Sequence, residues 1–90
     1  MRVEETELDG VLVISPDVHR DARGEFLEAW RRERYAEAGL PEFVQDNVSV
    51  SGRGVLRGLH FQHPRAQGKL IFILQGEVYD VAVEIGRAHV

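Results

Sequence analysis

A chain of 90 residues supports at most one domain with a thin core, so it is expected to be a small domain, a fragment or one part of an oligomer. With 43% apolar and 29% charged residues, no apolar run of membrane-spanning length and no apolar leader, it does not read as a membrane or secreted protein, and the expected location is cytoplasmic. A net charge of −4 with scattered acids argues against a nucleic-acid surface while leaving room for a local basic pocket, and zero cysteines exclude a disulfide framework and a thiolate zinc site.

No internal repeat appears, and the prolines at 16, 41 and 64 stand singly as punctuation. The run VLVI at 11–14 predicts a short apolar strand closed by Ser15-Pro16. DVHRDARG at 17–24 reads as a polar loop containing an Asp-Ala-Arg-Gly turn, and EFLEAW at 25–30 as a second strand. RRERYAEAGLP at 31–41 combines good helix formers with Gly39 as the helix C-terminal glycine and Pro41 as a stop. It is the one convincing helix.

From Glu42 onward the pattern is β. FVQDNVSV at 43–50 alternates, with Val44, Asp46, Val48 and Val50 on one face and Phe43, Gln45, Asn47 and Ser49 on the other, so the second face is suited to line a polar pocket. SGRG at 51–54 is a turn, VLRGLHFQ at 55–62 a strand, and His63-Pro64 opens a loop ending at Gly68. KLIFIL at 69–74 and EVYDVAV at 77–83 flank Gln75-Gly76 as a tight hairpin. Short strands, glycine-containing turns and one small helix point to a mainly β, antiparallel architecture of the jelly-roll type.

Within GVLRGLHFQHPRAQGKL at 54–70, three basic side chains, Arg57, His60 and Lys69, fall in what reads as a pair of buried strands, and that placement needs a chemical reason. Gly54, His60, Gln62 and Gln67 reproduce the skeleton of the first metal motif of cupin barrels, but two glutamines stand where that motif has a histidine and an acid. An amide is a weaker ligand than imidazole or carboxylate, and His63 has the wrong parity to substitute, so no metal is expected. Acid/base chemistry fits better. Histidine titrates near neutrality, and His60 facing a pocket is suited to take a proton from an activated carbon. Lys69 is suited to the oxyanion that forms when a proton leaves carbon beside a carbonyl, and the planar fork of Arg57 to phosphate or carboxylate. Arg57 and His60 have opposite strand parity, so both reach one cavity only if Gly58 marks a bulge or bend.

Taken one at a time, these residues have plainer readings. A single strand histidine is more often a hydrogen-bonded structural residue, Lys69 a solvated strand end, Arg57 an edge charge, and Gln45 with Asn47 an exposed polar stripe. His19, His63 and His89 lie in or near loops, and Arg31, Arg32 and Arg34 beside Glu33 and Glu37 read as a solvated helix face. The combination of residues favours chemistry.

DARGEFLEAW at 21–30, FVQDNVSVS at 43–51, VLRGLHFQ at 55–62, QGKL at 67–70 and GEVYDVAV at 76–83 occur in this order and spacing in the dTDP-4-dehydrorhamnose 3,5-epimerases, which the chain resembles closely to about Glu84. The resemblance implies a metal- and cofactor-independent, cupin-like jelly-roll barrel that works as a homodimer. It also implies inversion of C3 and C5 of a dTDP-linked 4-keto-6-deoxy sugar, in rhamnose biosynthesis. By motif, His60 is implied to be the proton-abstracting base, Lys69 to stabilise the enolate and Arg57 to contact the diphosphate. Arg23, Glu28, Gln45, Asp46 and Asn47 are implied to be further substrate-binding positions.

Epimerisation removes a proton from one face of a planar enolate and returns one to the other, so an acid must stand opposite His60. In the family that acid is a tyrosine beyond position 90, and Tyr35 and Tyr79 lie in other motif contexts. The expectation is therefore that residues 1–84 are the amino-terminal part of one cupin-like domain, inactive alone. IGRAHV at 85–90 departs from the family pattern and back-translates to ATC GGA AGA GCA CAC GTC, a common sequencing-library adapter, so it is expected to be a non-native tail. Two other readings keep the pocket: a non-catalytic sugar-nucleotide-binding cupin, and a related 3-epimerase or keto-sugar isomerase.

Overall fold

Strand β1 (Arg2–Glu5) pairs antiparallel with β2 (Leu12–Ser15), β3 (Val18–Asp21) pairs antiparallel with β4 (Gly24–Leu27), and helix α1 (Arg32–Glu37) follows. These elements are seen in a computed structural model that describes residues 1–84; the expected non-native tail at 85–90 lies outside the described residues. The regular structure is thus two small antiparallel sheets and one short helix.

Strand β2 falls where the apolar run VLVI predicts it. Its partner β1 carries no sequence signal, because Val3 is the only apolar residue in RVEE. The pair forms because register sets Val3 opposite Ile14, both half-buried. The connection is closed by Thr6, whose hydroxyl donates to the Val11 carbonyl at 2.7 Å and accepts from the Leu8 N–H at 3.3 Å.

The polar loop expected over 17–24 is corrected to a hairpin arm. Only its Asp-Ala-Arg-Gly turn is as expected, with Asp21 opposite Gly24 across Ala22 and Arg23. A hairpin exposed on both faces has no need of apolar alternation. His19 opposes Phe26, and Arg20 opposes Glu25 with an Nε–Oε1 distance of 2.9 Å. β4 ends at Leu27, short of the expected strand end at Trp30.

Helix α1 begins with acidic Glu33 in its first turn, a favourable charge for the N-terminal end of the helix dipole. Its end is the expected glycine stop. Gly39, at φ +75°, donates its N–H to the Ala36 carbonyl, and Leu40 donates to Tyr35, the paired bonds that satisfy the last helical carbonyls when a left-handed residue ends a helix. Pro41 then prevents continuation.

Tyr35 is the buried apolar residue of this part of the chain, at 3% exposure, with its ring set edgewise to Trp30 and Phe43 at centroid distances of 6.3 and 6.4 Å. Gly68 returns the chain to this cluster: a Cβ built on it would stand 3.6 Å from Pro41 Cγ and 3.9 Å from Phe43 Cε1.

The strands expected at 43–50, 55–62, 69–74 and 77–83 are corrected: none is a strand among the described residues. Gly76 has the positive φ expected of a tight turn, +88°, but its flanks are unpaired. Alternating apolar residues become a strand only where a neighbour satisfies the backbone groups and covers the apolar face. Here Val44, Leu56 and Tyr79 are 89, 92 and 94% exposed. The radius of gyration is 15.5 Å, against about 12 Å for a compact chain of this length. The accessible surface is 9110 Å², against roughly 5,300 Å² for a compact monomer of this mass.

Candidate functional site

Arg23 sits at the tip of the β3–β4 turn, its guanidinium held by Asp21. Asp21 Oδ2 accepts from Nη2 at 2.6 Å and from Nε at 3.1 Å, and Oδ1 accepts from the Arg23 backbone N–H at 2.8 Å. These bonds, the side-chain ones foremost, hold the Asp21 carboxyl below the usual aspartate range. Glu28 lies just past β4 and accepts from Arg34 Nε at 2.9 Å. Arg23 and Glu28 are thus each committed to an ion pair within the amino-terminal half.

Gln45 Nε2 donates to Asn47 Oδ1 at 3.2 Å, so the two side chains meet although 43–50 is not a strand. Asp46 between them is exposed. Arg57 Nε donates to Ser51 Oγ at 2.7 Å and Nη2 to the Val50 carbonyl at 3.3 Å, folding the side chain back over the 51–54 turn. Gly58 takes φ +128°, a conformation open to glycine and strained for other residues, but no bend or bulge is formed between Arg57 and His60. Lys69 follows Gly68, whose seat against Phe43 brings the QGK segment beside the start of the FVQDN segment.

Arg57, His60 and Lys69 are exposed, which corrects the expectation of a buried strand pair: the side chains have no covering strand. Among the described residues no hydrogen bond joins His60 to Lys69. A cleft of about 210 Å³ beside Trp30, Arg32, Leu40 and Pro41 and one of about 140 Å³ beside Asp17, His19, Glu28 and Arg34 both lie away from His60. Within the second, the chain's amino group stands 3.0 Å from Asp17 and lowers its pKa by hydrogen bond and charge.

The charges divide along the chain. Ion pairs joining two described residues all lie within residues 1–42. From Asn47 to Gly76 there is no acidic residue, while Arg53, Arg57, Arg65 and Lys69 all fall in this stretch. None of the four has a carboxylate partner among the described residues. Composition alone hides this basic run inside a chain of net charge −4, and Ser51, Arg53 and Arg65 are the residues that motif reading passes over. Such a run can bind an anion without first breaking an internal ion pair. Among the described residues no group of three histidine, aspartate or glutamate side chains could hold a metal ion, and no helix is long and apolar enough to cross a membrane.

The family model described as dTDP-4-dehydrorhamnose 3,5-epimerase matches residues 5–89. The chain belongs to the dTDP-4-dehydrorhamnose 3,5-epimerase family. Within that family it is similar to the 3,5-epimerase of Methanothermobacter thermautotrophicus, 51% identical over 93% of this chain and 46% of the relative. It is also similar to that of Shigella flexneri, 50% identical over 98% of this chain and 50% of the relative. A relative from Streptomyces niveus named dTDP-4-dehydrorhamnose 3-epimerase is 42% identical over 94% of this chain and 42% of its own length. The chain spans about half the length of these curated epimerases. No solved structure matches the chain.

Proposed function

We propose that residues 1–84 are the amino-terminal part of a single cupin-like jelly-roll epimerase domain, completed by a further length of chain comparable to the unmatched half of the relatives. Support comes from the surface left open: the apolar side chains of 43–83 are largely exposed, as strands awaiting partners would be. The completed protein epimerises C3 and C5 of dTDP-4-dehydro-6-deoxy-D-glucose to dTDP-4-dehydro-L-rhamnose. A homodimer and a cytoplasmic location go with this reading.

In this mechanism His60 takes the proton from carbon next to the C4 carbonyl, and the Lys69 ammonium stabilises the oxyanion of the resulting enolate. An acid on the opposite face then returns a proton to the same carbon with inverted configuration. Tyr35 is unsuited to that step, because its hydroxyl donates to the Ala29 carbonyl and burial, aided by the Glu28 charge, raises its pKa. A tyrosine in the remaining half of the domain is the expected donor. Arg57 binds the diphosphate, while Arg23, Glu28, Gln45, Asp46 and Asn47 contact the nucleotide sugar. Binding through Arg23 and Glu28 requires their present ion pairs to be shared or exchanged.

The observation that carries this reading is the acid-free stretch 47–76, within which Arg57, His60 and Lys69 all fall, in a member of this epimerase family. Its test is solvent deuterium incorporation at C3 and C5 of the 4-keto sugar by the full-length enzyme. Tight dTDP binding with no incorporation at either carbon would leave a sugar-nucleotide-binding protein instead. A one-carbon 3-epimerase is a second reading, favoured by the 42% identity to the Streptomyces niveus relative; incorporation at C3 alone selects it.

A further inference from the structure

We infer that Ser51 is a positioning residue for Arg57, presenting its guanidinium to the diphosphate of the nucleotide sugar; the inference rests on the diphosphate assignment of Arg57. The guanidinium carries five N–H donors in a rigid plane. Its side edge, formed by Nε and Nη2, is taken by Ser51 Oγ at 2.7 Å and the Val50 carbonyl at 3.3 Å. The end-on fork, formed by Nη1 and the second Nη2 N–H, is left to donate to two oxygens of one phosphate, a bidentate arrangement that adds both energy and geometric specificity.

The neutrality of the two acceptors matters as much as their position. Arg23 uses the same edge, but on the Asp21 carboxylate, so its charge is compensated within the turn. Ser51 and Val50 fix Arg57 while leaving its full positive charge for the ligand. Holding the long side chain in place before binding removes part of the conformational entropy that an anion would otherwise have to overcome. The 51–54 turn, closed by the Val55 N–H on the Gly52 carbonyl at 3.4 Å, sets Ser51 within reach.

The test is calorimetric binding of dTDP to the full-length enzyme, with KM and kcat measured on the 4-keto sugar. Ser51→Ala should raise the dTDP Kd and the KM about threefold to tenfold, the worth of one such hydrogen bond, and leave kcat little changed. Ser51→Thr, which keeps the acceptor, should restore binding. Ser51→Asp keeps the acceptor but compensates the charge, and should weaken dTDP binding at least as much as Ser51→Ala. In an Arg57→Ala background, Ser51→Ala should have no further effect. Wild-type affinity in Ser51→Ala, or full additivity with Arg57→Ala, overturns the inference while leaving the epimerase reading intact. If Arg57→Ala itself binds dTDP as tightly as wild type, the diphosphate assignment fails and Ser51 has no such role.

Discussion

The Tyr35 hydroxyl donates to the Ala29 carbonyl at 2.9 Å, tying the helix to the segment that leads into it while the ring holds Trp30 and Phe43 around the buried centre. Tyr35→Phe keeps the ring packing and removes only that bond. It should cost about 1 kcal/mol in urea unfolding of the full-length enzyme, with turnover retained. A loss of turnover with stability unchanged would assign the hydroxyl a chemical role instead.

Asp21 gives the β3–β4 turn a pH dependence of defined sign. Its folded pKa lies below the unfolded value, so the turn's contribution is fully present above the ordinary aspartate pKa and is lost as pH falls through the lowered one. Carboxyl-detected NMR titration should place Asp21 below a free aspartate, and Arg23→Ala should return it toward the ordinary value. An unchanged midpoint in Arg23→Ala would show that the guanidinium is not the cause.

His60→Ala should lower turnover of the full-length enzyme by about 10²–10⁴-fold, the usual range for a general base, and abolish deuterium wash-in. Lys69→Ala should lower kcat more than it raises KM, because enolate charge exists mainly in the transition state. An effect of Lys69→Ala confined to KM would make it a binding residue.

Activity should survive exhaustive chelation. Gln62 and Gln67 stand where a cupin metal motif has ionisable or imidazole ligands, and amides bind transition metals weakly. Loss of activity with EDTA, restored by one divalent ion, would overturn this.

The exposed side chains of 43–83 should make the 90-residue chain associate or bind a hydrophobic dye. Fusing residues 1–84 to the carboxy-terminal half of the Methanothermobacter thermautotrophicus relative should suppress both and produce cooperative unfolding. A monomeric, dye-silent and cooperatively unfolding 90-residue chain would refute the proposal that these residues await partner strands.

Local chemistry was legible in the sequence wherever its cause was local. VLVI marked β2, Asp-Ala-Arg-Gly marked a turn, and Gly39-Leu40-Pro41 marked the end of α1, because backbone sterics and near-neighbour hydrogen bonds decide those features. Motif order was equally legible, and with it the family. Strand β1 was invisible, since its Val3 pairs with Ile14 across a connection that no periodicity in RVEE announces. The runs at 43–50, 55–62, 69–74 and 77–83 failed in the opposite way: they have strand pattern without a ladder. Sequence by itself determined which residues can bind an anion, move a proton or end a helix, because those capacities belong to the side chains and their neighbours. Only tertiary structure decided that Arg57 is held by Ser51, that Gly68 seats the QGK segment on Pro41 and Phe43, and that His60 and Lys69 lie open. Burial and pairing are properties of segments brought together from a distance, and no single stretch of chain specifies its partner.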